Sequence, residues 1–159
     1  MITNYIVRYV TRMLERRPPR VICDGEGAPY LCRWYVFGQQ SPADVGKTRL
    51  GWLPLVVYVH RFMRPDLDRD LHSHPWAEAV SFIFKGGYDE ERRVGDAVED
   101  RIYCAPTVNV IHRSTFHRIA ELHGDTWSVF VGFGKRASWS FWDRDTGRVT
   151  PKEEFLRGH

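Results

Sequence analysis

The chain has 159 residues, 43% hydrophobic and 14% aromatic, with a formal net charge of +3. That length suits about one domain with a real hydrophobic core, and the composition excludes a disordered or low-complexity chain. The charge is carried by 19 Arg and only 4 Lys, and it is too small and too scattered to argue for a nucleic-acid surface.

No apolar run approaches the ~20 residues of a membrane helix. Arg8 and Arg12 interrupt the N-terminal apolar residues, so no secretory leader is expected. Cys23, Cys32 and Cys104 form no CxxC pair. An odd, unpaired set points to a reducing compartment, and the expected location is cytoplasmic.

In chain order, the first element is a helix over residues 3–17. Thr3 is its N-cap, Ile6, Val10, Met13 and Leu14 form one stripe, and Pro18 and Pro19 stop it. The organisation read from this is an N-terminal helix and Pro-rich hinge over residues 1–20, then a single barrel domain over 21–159. After Pro19 the period changes. Short apolar segments are expected as strands at Val21–Cys23, Tyr30–Phe37, Leu53–Met63, Trp76–Phe84, Arg101–Tyr103, Val108–His112, His117–Leu122, Thr126–Phe133 and Ser138–Trp142. Gly- and Asp-rich turns separate them, which is the pattern of an all-β sandwich or barrel. Pro151–His159 reads equally as a short terminal helix or an edge strand.

The informative segment is Leu71-His72-Ser73-His74-Pro75-Trp76-Ala77-Glu78. Extended, it places His72, His74, Trp76 and Glu78 on one face, although Pro75 argues for an edge or a bulge. Two imidazoles and a carboxylate on an apolar floor suit a divalent transition metal. A third imidazole has to come from elsewhere. His117 opens a later strand, His112 shares its parity, and His60 lies in the strand Leu55–Met63. His60 and His123 read as structural. Cys104 has no activating neighbour in sequence and reads as a buried small hydrophobe.

Many short strands, an HxHxxxE and a later strand histidine together resemble the cupin superfamily. Its first motif is Gly-x5-His-x-His-x3–4-Glu-x6-Gly, and its second is Gly-x5-Pro-x-Gly-x2-His-x3-Asn. His72, His74 and Glu78 match the first motif; Asp66 stands in place of its first glycine, and Gly86 lies one residue beyond its last. In the second motif His117 matches the histidine, while His112, Ser114 and Glu121 replace Pro, Gly and Asn. The resemblance covers roughly Val21 to Trp142. It implies a double-stranded β-helix, or jelly-roll barrel, with His72, His74, Glu78 and His117 as metal ligands. Glu78 would be a fourth ligand or a catalytic base. The segments His72-Ser-His-Pro-Trp and Lys85-Gly86-Gly87-Tyr88 also look like a group of small bacterial and phage cupins.

The implied cofactor is a divalent transition metal, iron first, with zinc, manganese and nickel as alternatives. The implied activity is a metal-dependent dioxygenase or hydroxylase acting on a small anionic metabolite. A non-catalytic binding or regulatory cupin and a sugar isomerase or epimerase are the competing readings. Arg33, Arg61, Tyr58, Trp76 and His112 are the candidate substrate contacts, because an inward guanidinium can hold a carboxylate or phosphate by two parallel bonds. Arg118 has the opposite parity to His117 and is expected to point outward. A homodimer without nucleic-acid or membrane partners completes the reading.

Overall fold

The computed structural model describes residues 18–23, 27–38, 55–67, 69–135 and 139–155, together with Arg12, Leu14 and Arg157. The expected N-terminal helix and residues 1–17 of its proposed segment lie outside this set, Arg12 and Leu14 apart.

Most of the described chain is strand. In order it forms β1 (Arg20–Cys23), β2 (Pro29–Phe37), β3 (Leu55–Phe62), β4 (Leu71–His72), β5 (Trp76–Lys85) and β6 (Gly87–Val94). There follow β7 (Ala97–Cys104), β8 (Thr107–His112), β9 (His117–Leu122), β10 (Thr126–Lys135), β11 (Ser140–Trp142), β12 (Val149–Pro151) and one helical turn, α1 (Lys152–Phe155). Two six-stranded sheets result, ordered β1-β2-β3-β10-β5-β8 and β12-β11-β4-β9-β6-β7. All pairings are antiparallel. The fold is an all-β sandwich, as the strand pattern led us to expect.

Burial explains the stacking. Along β8, Asn109 and Ile111 are buried while Val108, Val110 and His112 are exposed, the alternation of a sheet with one face inward. The inner faces meet in two clusters. One joins Val56, Tyr58, Trp76, Ala79, Ile111 and Phe130. The other joins Ile83, Tyr88 and Ile119, with Phe62 and Leu122 against them. Removing apolar surface of this kind from water contributes roughly 25 cal/mol per Å2.

β4, β6 and β12 were not among the expected strands, and β7 starts earlier than expected. β6 was not expected, because Asp89-Glu90-Glu91-Arg92-Arg93 looks like a solvated charged run; in the fold its alternate members Glu90 and Arg92 are buried and pair with each other at 2.9 Å. β7 runs from Ala97 rather than Arg101, since it pairs with β6 along its whole length. The β5–β6 corner turns at Gly86, whose φ is +70°. A Cβ there would lie 2.5 Å from Thr126 Oγ1 and 2.8 Å from Asp125 O, so both conformation and space select glycine.

Candidate metal centre

β4 and β9 bring the first two imidazoles together, since His72 stands directly opposite His117 in the register. Residues so placed share a face of the sheet. His74 follows in the link to β5. That link is held against β11 by Ser73, whose N–H donates to Ser140 O at 2.9 Å and whose Oγ accepts from Ser140 N–H at 3.0 Å. The ring nitrogens offered by His72, His74 and His117 all lie within 4.8 Å of one another. The Nε2 atoms of His74 and His117 are 2.8 Å apart. Trp139 and Phe130 wall the cluster, with ring centroids 5.6 Å from His72 and 6.2 Å from His74 respectively.

Behind His117 lies a buried polar network. His117 Nδ1 bonds Glu90 Oε1 in a very short contact, and Glu90 is 0% exposed. Arg92 Nε donates to Glu90 Oε2 at 2.9 Å, and Asn109 Nδ2 donates to Glu90 Oε1 at 2.8 Å. Arg92 Nη2 also donates to Asn109 Oδ1 at 2.6 Å, and Asn109 Nδ2 donates to the Tyr88 hydroxyl at 3.0 Å. Burial alone would push the Glu90 carboxyl up. The bonds from His117 and Arg92 outweigh it and hold the group at about 2, an anion at any ordinary pH. A carboxylate on one ring nitrogen keeps the proton there and leaves the other nitrogen's lone pair free, which is how metal-ligating histidines are oriented.

Burial also keeps the other rings neutral. It pushes His72 down to about 4, with Asp66 and Glu90 opposing and His117 adding to the fall. His74 is driven well below its ordinary value by burial first, then by the positive charge that His117, His72, Arg33 and His60 would place beside it. Neutral imidazoles are the form that binds a divalent transition metal, so the donor set fits such an ion.

Next to the cluster, Phe130 connects His74 to a second group, its ring 5.5 Å from that of His60. Arg33 Nε donates to His60 Nε2 at 2.9 Å, and its guanidinium lies 4.9 Å from the centre of the Tyr58 ring. Burial drives His60 well below its usual value, and the Arg33 charge adds to that. Burial pushes the Tyr58 hydroxyl up to about 12, against the opposing pull of Arg33. Trp76 packs edge-on to Tyr58 at 6.5 Å and belongs to the core.

Three expected site residues lie elsewhere. Glu78 is not with the histidines: its side chain is 55% exposed and bonds His112, itself 59% exposed, across the outer face of β5 and β8. The face alternation breaks within β5, after the buried Trp76, so that Ala79, Ser81 and Ile83 take the inner face instead. His112 therefore lies outside as well. Arg61 is an outer-face residue, bonded to Asp125 at 2.8 Å and stacked 5.4 Å from Trp127. Arg118 bonds Glu91 at 2.8 Å on the outer side. Cys104 is exposed, not buried. Glu90, Asn109 and His60 were not read as part of the site. No local sequence signal marked Glu90, whose burial depends on His117 and Asn109 from the partner strands.

No family model matches the sequence, and no curated protein matches it. Solved structures do match the fold. One is FeII HppE in complex with substrate: 13% identity over 75% of this chain and 57% of that one, TM-score 0.52. Another is the oxalate decarboxylase of Bacillus subtilis, a protein with Mn(II) centres: 10% identity over 79% of this chain and 30% of that one, TM-score 0.54. A third is Fe(II)-HppE with the alternative substrate (S)-1-HPP: 10% identity, 76% of this chain and 57% of that one, TM-score 0.50. The chain thus spans 57% of HppE and less of the decarboxylase. Together with the two antiparallel sheets, these likenesses show that the chain has the cupin fold.

Proposed function

We propose that this chain is a metal-dependent enzyme of the oxygenase type, in which His72, His74 and His117 hold a divalent transition metal and Arg33 receives the acidic end of a small substrate. The observation that carries the reading is the convergence of three imidazoles within 4.8 Å, one of them oriented by a buried carboxylate. A bound iron or manganese would supply open positions for oxygen and for substrate donor atoms. The protein supplies the rest. Glu90 fixes the His117 tautomer, Trp139 and Phe130 wall the site, and Arg33 with His60 offers charge and hydrogen bonds to an anion beside it. The Arg33 guanidinium is close enough to weigh on His74, which supports an anionic substrate bridging the two groups.

Elemental analysis of untagged protein for Fe, Mn, Zn, Ni and Cu tests the reading. HppE and oxalate decarboxylase make iron and manganese the first metals to reconstitute. Near-stoichiometric metal, lost in His72→Ala and His117→Ala, is the expected result, and oxygen uptake with small carboxylic and phosphonic acids then follows. A chain that holds no metal after reconstitution overturns it.

A further inference from the structure

The outer face of β6 carries a second group of side chains with nucleophilic order. Tyr88, Glu90 and Arg92 point inward, so Gly87 and Asp89 fall on the other face. Cys104, the last residue of β7, stands opposite Gly87. On the other side of β6, the His123 N–H donates to Gly87 O at 2.8 Å. The two side chains flank a residue that has none. A Cβ at Gly87 would lie 3.3 Å from His123 Nδ1 and 3.2 Å from Cys104 Cα, and it would strike Tyr103 O. Above that gap Cys104 Sγ is 3.8 Å from His123 Nδ1. Asp89 Oδ1, two residues along β6, is 2.9 Å from His123 Nε2. That contact is off the axis of an aligned hydrogen bond, and Oδ1 has no other partner among the described residues. Its charge still favours the tautomer protonated on Nε2, which leaves the Nδ1 lone pair facing the thiol.

We propose that Cys104, His123 and Asp89 form a peroxide-reactive thiol site, separate from the histidine cluster. Cys104 is the nucleophile, His123 its base and Asp89 the positioning residue. As the sulfur attacks one oxygen of a hydroperoxide, the thiol proton passes to His123 Nδ1. An S–O bond forms and the O–O bond breaks. The sulfur is oxidised by two electrons, which the departing oxygen takes. That oxygen leaves as hydroxide or alkoxide and collects the proton from His123, giving Cys104 sulfenic acid and water or an alcohol. The geometry favours a peroxide over an acyl substrate. The N–H that follows the nucleophile, on Ala105, is already donated to Gly86 O at 2.9 Å, so it offers no oxyanion hole.

Cys23 is also exposed, and no histidine contacts it among the described residues, so it serves as the internal reference. The full-length chain is treated with hydrogen peroxide near neutral pH, sulfenic acid is trapped with dimedone, and each cysteine is quantified by peptide mass spectrometry. Cys104 is expected to react at least about tenfold faster than Cys23. In His123→Gln its rate falls to that of Cys23 while the Cys23 rate and the melting temperature hold. Asp89→Asn lowers the Cys104 rate, and added imidazole restores it in His123→Gly, which a merely structural histidine does not allow. Iodoacetamide, which a bound metal does not activate, gives the same order of rates. A Cys104 that reacts no faster than Cys23, or a rate unchanged in His123→Gln, overturns the proposal.

Discussion

His74 Nε2 and His117 Nε2 lie 2.8 Å apart in the interior, so one of them donates and the other accepts. Glu90 decides which. Its carboxylate accepts from His117 Nδ1, so His117 Nε2 is the acceptor and His74 Nε2 the donor. The pair shares a proton at the place where the proposed metal would bind, and binding through His74 Nε2 has to move that proton to Nδ1.

Glu90→Gln removes the charge that orients His117 and neutralises Arg92. Breaking a buried ion pair from one side costs about 3–5 kcal/mol, because the remaining charge is left in the interior. Loss of a carboxylate behind a ligating histidine typically lowers metal affinity about 10–100-fold. Urea unfolding of the metal-free chain and chelator competition on the loaded chain read the two effects. Adding Arg92→Met to Glu90→Gln is expected to recover stability but not affinity. Recovery of both would show that Glu90 serves the fold alone.

Glu78→Ala is expected to leave metal content unchanged. The carboxylate is more than half exposed and, among the described residues, bonds only the similarly exposed His112, and exposed pairs contribute about 0–1 kcal/mol. Elemental analysis beside His72→Ala decides the matter. Metal lost from Glu78→Ala would mean that β5 turns its other face inward when the ion binds.

These two glutamates mark where the sequence was legible and where it was not. The strands could be read because apolar residues alternate between turn signals, and the histidines because a ligand spacing on one strand points to one face. Glu78 went astray because parity assumes an unbroken alternation, and in β5 the alternation breaks after the buried Trp76. Glu90 was hidden by the opposite error. Charged runs are usually solvated, but β6 sorts its charges by alternation, Glu90 and Arg92 inward and Glu91 and Arg93 towards the surface. Only the partner strands, which supply His117 and Asn109, make that burial tolerable. Such cross-strand compensation has no local sequence signature. The Cys104–His123 contact was invisible for the same reason, since its members meet only through β6.

The metal-free chain is expected to lose stability as pH falls from 6.5 towards about 4. His72 is held at about 4 against an ordinary value of 6.5, and His74 and His60 are shifted the same way. Across that window the unfolded chain binds more protons than the folded one. Stability is therefore complete above the unfolded value and declines below it, each group adding up to ~1.4 kcal/mol per pH unit. Urea midpoints at stepped pH measure this. The metal-loaded chain should start higher and fall more steeply, because protons must then also displace the ion. A metal-free midpoint that stays flat across the window would mean that the rings are already protonated in the fold.

Arg33→Lys tests the anion site without touching a proposed ligand. Lysine keeps the charge but loses the planar fork that reaches His60 and covers Tyr58. Succinate and inorganic phosphate, titrated calorimetrically into the metal-loaded chain, should bind at least about tenfold more weakly to the variant, the scale of one lost charge-assisted bond. Metal content should stay at the wild-type level, since His72, His74 and His117 are intact. Equal anion affinity in the two chains would assign Arg33 to the packing of His60 and Tyr58, and the acidic end of the substrate would have to be received elsewhere in the barrel.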